Sequence, residues 1–136
     1  MSLSFKPSFI YNQNVVWGDQ DAFGHVNNVS VVRYFENARA DYFTEKKIWE
    51  NNGQNLTKGM VLTNLVLEYR KQIKYPSTLR IALGSLGISS RKFIIGCSMS
   101  CESQVVVEGS AELIWFDFIK QKPSILPDDI RQVLLS

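Results

Sequence analysis

The sequence predicts an α+β fold in which one long central helix is wrapped by a curved antiparallel β-sheet. Three observations lead there. A helical stripe of apolar residues opens at Asn28 and runs for about five turns. Beyond it the apolar period switches to that of a strand and stays so until two prolines, Pro123 and Pro127, mark the exit. The 136 residues contain no repeat, linker or low-complexity stretch, so residues 1–136 read as one domain, long enough to bury a core without disulfides or metals.

Taken in order, Tyr11 to Trp17 reads as a short strand carrying Val15, Val16 and Trp17. A polar loop follows, and then the helix. Val31, Tyr34, Phe35, Ala38 and Tyr42 share one face, while Arg33, Glu36, Asn37, Ala40, Asp41 and Thr44 share the other. Asn27 or Asn28 can cap its start, and Asn51-Asn52-Gly53 supplies a stop and a turn. Val61, Thr63, Leu65, Leu67 and Tyr69 then alternate with polar or opposite-face residues. After the Tyr75-Pro76-Ser77 break come Leu79, Ile81 and Leu83, then Phe93 through Cys101, then Val105 through Phe116. The Glu102-Ser103-Gln104 turn is so short that the last two strands must form a hairpin. Asp128 to Leu134 reads as a short terminal helix. The expected order is a strand, the helix, and four long strands in a meander. A sheet with such long edges is usually covered by a second copy, so a homodimer or homotetramer is expected.

Composition removes several function classes. Apolar residues at 45% and charged residues at 21% are ordinary for a globular chain, and a net charge of +2 gives no reason to expect nucleic acid. There is no apolar run long enough to span a membrane, and the polar start is unlike a signal peptide, so no membrane association is expected. Cys97 and Cys101 lie four apart on a strand, about 13 Å between Cα atoms, too far for a disulfide. With one histidine in the chain and no second cysteine pair, no metal site is expected; two small buried thiols suit a reducing cytoplasm.

The polar chemistry concentrates in Trp17-Gly18-Asp19-Gln20-Asp21-Ala22-Phe23-Gly24-His25-Val26-Asn27-Asn28. Two acids, a glycine, the sole histidine and two asparagines sit immediately before a helix N-terminus. The free N–H groups and dipole of such a terminus can bind a carbonyl oxygen as it becomes negative. A carboxylate held beside it can attack that carbonyl or deprotonate a water that does.

The segment Gly18-Asp19-Gln20-Asp21-Ala22-Phe23-Gly24-His25-Val26-Asn27-Asn28, continued by Tyr34-Phe35-Glu36-Asn37-Ala38-Arg39, resembles the hotdog-fold thioesterases of the 4-hydroxybenzoyl-CoA thioesterase-like family. Tyr75-Pro76 and Ser89-Ser90-Arg91-Lys92-Phe93 extend the resemblance. It implies an acyl-CoA thioesterase, a hydrolase that needs no cofactor because coenzyme A belongs to the substrate. It further implies that Asp21 is the catalytic carboxylate and that the Asn28 backbone N–H meets the thioester oxygen. Arg91 and Lys92 fall where relatives place basic groups for the CoA phosphates. His25 resembles the histidine of a His-Val-Asn-Asn run in acyl-ACP thioesterases and is a candidate for orienting substrate.

The other residues divide as follows. Phe23, Gly24 and Asn27 are candidate substrate contacts, Gly24 through a positive φ or a close backbone approach, and Asn27 is a cap first. Asp19 reads as a loop-shaping acceptor. Glu36 and Arg39 read as an intrahelical pair or as side chains that bind a neighbouring strand, with a catalytic role for Glu36 kept open. Arg70, Lys71 and Lys74 with Arg91 and Lys92 read as one basic group near the strands. Two alternatives stand beside the acyl-CoA reading. One is an acyl-ACP thioesterase, which would need a broad basic docking surface; the other is a non-catalytic acyl-thioester binder on the same fold.

Overall fold

In the computed structural model, which describes residues 5–49 and 57–136, six strands form one antiparallel sheet around a single long helix. The strands are β1 (Phe9–Asn14), β2 (Lys58–Tyr69), β3 (Thr78–Ile88), β4 (Lys92–Cys101), β5 (Gln104–Asp117) and β6 (Lys122–Pro123); the helices are α1 (Asn28–Glu45) and α2 (Asp128–Leu135). The expected stop at Asn51-Asn52-Gly53 lies outside the described residues.

The long helix starts where the caps place it. Asn27 adopts extended backbone at φ −65° and ψ 142°, and its side-chain oxygen accepts the Val29 N–H at 2.9 Å. The stripe of Val31, Tyr34, Phe35, Ala38 and Tyr42 is buried as the periodicity requires, but the buried face also takes in Arg39 and Phe43. Alternation does the same work in the sheet. Leu79, Ile81 and Leu83 of β3 and Phe93, Ile95, Cys97 and Met99 of β4 turn inward onto α1, all at most 1% exposed. Cys97 therefore behaves as a core side chain, and burial pushes its thiol up to about 12.

The sheet order is β1-β3-β4-β5-β2, with β6 beside the end of β5. Only β3, β4 and β5 follow one another as a meander. This corrects the expected four-strand meander: β2 pairs with β5, Leu67 opposite Gly109 and Tyr69 opposite Val107, and so becomes an edge. The long connection through residues 70–77 lets the chain cross to β3 on the other side. The first strand also differs from expectation. It ends at Asn14, because Val15 gives its N–H to Ser77 and Val16 gives its own to the Tyr34 hydroxyl. Trp17–Asp19 then makes a 3-10 turn that swings the chain over the start of α1.

The β4–β5 hairpin forms as its short turn demands. Glu102 and Ser103 sit at φ 51° and 66°, the left-handed pair of a tight hairpin turn. At the C-terminus, α2 buries Ile130 and Leu134 and packs against β3, and Arg131 donates to the Ser89 carbonyl at 2.9 Å. No helix among the described residues is long and apolar enough to cross a membrane.

One close approach holds β2 in place. A Cβ on Gly109 would overlap the Val66 carbonyl oxygen and crowd the Leu67 side chain, whereas at Gly18 it would meet nothing within 4 Å. Gly109→Ala is therefore expected to destabilise the chain by about 1–3 kcal/mol through overpacking, and Gly18→Ala to change stability by less than about 0.5 kcal/mol. Urea unfolding midpoints of the two variants check this.

Candidate active site

The loop between the 3-10 turn and α1 is fastened at several points. The Asp19 carboxylate accepts the Tyr34 hydroxyl at 2.6 Å, and that hydroxyl oxygen accepts the Val16 N–H at 3.3 Å. Tyr34 is 2% exposed, and its phenol is pushed up to about 12, first by burial and then by the bond to Asp19. The Asn27 N–H donates to the Asp19 carbonyl at 2.8 Å, and the Val26 N–H to the Ile73 carbonyl at 2.8 Å. Asp19 is thus the loop-shaping acceptor anticipated for it, and the loop is stitched to both the helix and the connection that follows β2.

Asp21 stands at the centre of this loop. Its backbone N–H donates to the His25 carbonyl at 2.7 Å, and its Oδ1 accepts the N–H groups of Phe23 at 2.8 Å and His25 at 3.2 Å. These donors, His25 first and Phe23 second, hold its carboxyl below the usual carboxylate range. Among the described residues Oδ2 has no donor, so one oxygen fixes the rotamer while the other faces outward. Gly24 closes the turn at φ +80°. Nothing lies within 4 Å of where its Cβ would be, so the demand for glycine there is conformational.

The helix terminus supplies the second half. The Val29 N–H is taken by the Asn27 side chain, and those of Ser30 and Val31 by the Asn27 carbonyl. Among the described residues the Asn28 N–H has no acceptor, the one donor of the opening turn left open. Asp21 and Asn28 line the same cavity, about 260 Å³, together with His25, Val26, Val31 and residues 69–73. An ionised carboxylate, an unengaged amide at the positive end of a helix, and an imidazole thus share one small space.

Not all expected site residues meet there. Asn27 is spent as the cap and does not line the cavity. Phe23 stands at the loop tip, 83% exposed. Arg91 and Lys92 lie at the opposite end of the sheet: Lys92 pairs with Ile114, seven residues along β5 from the Val107 that faces Tyr69, or about 23 Å. Lys92 also bridges Glu112 at 3.2 Å. The single basic group read from the sequence therefore splits in two, since β2 finishes at one end of the sheet and the β3–β4 turn lies at the other. Glu36 and Arg39 do not pair within the helix; the Arg39 guanidinium stacks over Phe35, 4.3 Å from the ring centroid. The contribution of Tyr69 to Ile73 went unread, although the polar run Arg70-Lys71-Gln72 after an alternating strand was its visible sign. Among the described residues no three His, Cys, Asp or Glu side chains gather as a metal site would need.

A family model described as the thioesterase-like superfamily matches residues 15–134. The chain belongs to that superfamily. A Bacillus subtilis relative, the uncharacterized protein YsmA, is 31% identical over 83 residues, covering 61% of this chain and 54% of the relative. The chain spans about half the length of the curated relatives it matches, 54% and 59%. Among solved structures, the PA2801 protein of Pseudomonas aeruginosa superposes with a TM-score of 0.85 at 24% identity, covering 93% of this chain and 98% of its own. A 1,4-dihydroxy-2-naphthoyl-CoA thioesterase from Synechocystis does so with a TM-score of 0.84 at 15% identity, over 94% and 96%. At these identities the structural likeness is one of fold, and that fold is the hotdog of the thioesterase-like superfamily.

Because Tyr34 carries the Asp19 tie, Tyr34→Phe is expected to lower stability by about 1.5–3 kcal/mol, the usual range for a hydrogen bond to a charged group. Urea denaturation measures the loss. Amide hydrogen exchange across residues 16–28 is expected to accelerate in the same variant.

Proposed function

We propose that this chain hydrolyses acyl-CoA thioesters to the free acid and CoA. The observation that carries this is the sharing of one cavity by the Asp21 carboxylate and the open Asn28 N–H. A thioester carbon placed between them can be attacked by a water that Asp21 deprotonates, or by Asp21 itself, while its oxygen gathers charge against the Asn28 amide. Collapse of the tetrahedral intermediate breaks the C–S bond and expels the CoA thiolate, which takes the proton held by Asp21 in the water route, or one from solvent in the direct route. In the direct-attack route, water then hydrolyses the acyl–Asp21 anhydride. Water is the only co-substrate this chemistry requires. His25, at the cavity wall, would orient the substrate, and Gly24, which does not line the cavity, would serve through the turn that holds Asp21.

The charge around the mouth supports CoA as carrier. Arg70 is held by Glu68 at 3.1 Å and Glu108 at 3.2 Å, and Lys71 donates to Gln104 at 2.8 Å. Arg70 is thus already neutralised and Lys71 is the one lysine or arginine of the cavity lining free of a carboxylate among the described residues, too little positive charge for a broad acidic protein face. The solved relative from Synechocystis bears the name of a CoA thioesterase, which supports the same class.

The reading includes a homodimer joined along β2. That strand is a sheet edge of 12 residues, with Leu62, Val66 and Tyr69 at 42%, 47% and 45% exposure. Two such edges paired antiparallel would bring the Lys58 end of one β2 beside the Tyr69 end of the other. The partner subunit's Arg91 and the partner subunit's Lys92 would then reach the end of the molecule where this cavity opens, where they can meet the nucleotide phosphates.

Asp21→Asn is expected to lower kcat by about 10²–10⁴-fold on a panel of short, long and aromatic acyl-CoAs, with thiol release as the assay. Unchanged hydrolysis in that variant would overturn the assignment, and a wild type that binds but never cleaves would favour a thioester-binding protein. Since the Asp21 carboxyl is held below its ordinary value, its base form persists on acidification. The acid limb of kcat/KM is expected below about pH 4, with a level rate from there toward neutrality. The Arg91→Ala/Lys92→Ala double variant is expected to raise KM with kcat retained, an effect that shrinks as salt is added.

A further inference from the structure

Arg39 is 5% exposed and lies in the middle of α1. Its Nη1 is sealed from solvent with no hydrogen-bond partner, and among the described residues no carboxylate lies within bridging distance of it. The Phe35 ring under the guanidinium does not replace that missing acceptor, so the nitrogen is left desolvated unless something arrives to meet it. Glu36, three residues earlier, is exposed and forms no ion pair among the described residues.

Both residues lie on one side of α1, Arg39 turned in over Phe35 and Glu36 turned out. At about 100° per residue, Asn28, Val32, Glu36 and Arg39 occupy one flank of α1. At its N-terminal end that flank lies beside the end of β2, since Asn28 shares its cavity with Tyr69. The opposite flank faces β1, where Asn37 donates to Gln13 at 3.3 Å. The levels also agree. The centre of β2, at Thr63 and Asn64, is about 18 Å from Tyr69, and the same distance from Asn28 down the helix ends near residue 40. A two-fold axis through the middle of paired β2 edges would thus pass close to Glu36 and Arg39, where each residue lies near the mates of its own neighbours.

We propose that, across the dimer, each Arg39 binds the partner subunit's Glu36, so that one self-complementary ion pair is made twice about the two-fold axis. This rests on the dimer of the preceding subsection. The pair completes a cation that a single chain leaves unsatisfied, and it sets the register of the two β2 edges, because a slip of the strands would separate both pairs together.

The test uses Arg39→Glu and Glu36→Arg as separate homogeneous proteins and as an equimolar mixture, followed by sedimentation velocity. Each variant alone places like charges together at both positions, and its dimer is expected to weaken by roughly 30-fold or more. In the mixture one chain presents two acids and the other two basic groups, so both pairs re-form and the mixed dimer is expected within about tenfold of wild type. Circular dichroism checks folding. Should Arg39→Glu fail to fold, Arg39→Gln and Glu36→Gln replace it, and the double variant is expected to dissociate no more readily than the weaker single. A monomeric wild type overturns the dimer and the pair with it. A dimeric wild type whose variants stay dimeric, or whose mixture does not recover, overturns the pair alone. So does an intact Arg39→Gln dimer that has lost only the hydrolysis of acyl-CoAs bearing a second carboxylate, since Arg39 would then be meeting substrate.

Discussion

A loop carrying an acid can hold that acid against a helix terminus only if its backbone has nowhere else to go. Here the constraint is the buried bond from Tyr34, rooted in the packed face of α1, to the Asp19 carboxylate. Through Asp19 the loop is tied to the same helix whose first turn it approaches, and through Val26 to Ile73 in the connection after β2. Asp21 inherits its position from those ties. Its carboxylate would otherwise sample solvent, since nothing buries it.

The same ties explain a division of labour between two acids of one type only two residues apart. Asp19 gives its side chain to the core and its carbonyl to Asn27, so both of its acceptor groups are spent on structure. Asp21 gives one oxygen to two backbone donors of its own turn and keeps the other free. The donors that fix its rotamer are also those that keep it ionised, so orientation and charge state arise from one local geometry. At the helix start Asn27 consumes three of the four opening N–H groups with a side chain and a carbonyl, which leaves the Asn28 amide as the remaining donor. Capping, usually a matter of helix stability, here decides which amide is left for a ligand.

Much of this could be read from the chain. The stripe from Val31 to Tyr42 and the inward residues of β3, β4 and β5 are periodic enough that local pattern and tertiary packing agree. Asp21, Asn28 and His25 were legible because short range fixes them relative to one another. What local pattern cannot carry is pairing at a distance. β2 joins β5 across separations from 38 residues at Tyr69–Val107 to 59 at Lys58–Asp117, so its edge position could not be read, and neither could the placement of Arg91 and Lys92 at the far end of the sheet. Arg39 was hidden for a different reason. Hydropathy assigns an arginine to the surface, and only the Phe35 ring stacked under its guanidinium, with Cys97 close enough to feel its charge, shows how the fold accommodates one inside.

The central claim is that a thioester carbonyl meets the Asn28 amide beside Asp21. The most direct measurement is a titration of ¹⁵N-labelled protein with CoA ketones, in which a methylene replaces the thioester sulfur and hydrolysis is blocked. The account predicts that the amide resonances of Asn28, His25 and Val26 shift most and saturate together, with Asn28 moving as a donor gaining a hydrogen bond. Saturable binding that leaves Asn28 and its neighbours unmoved would contradict it.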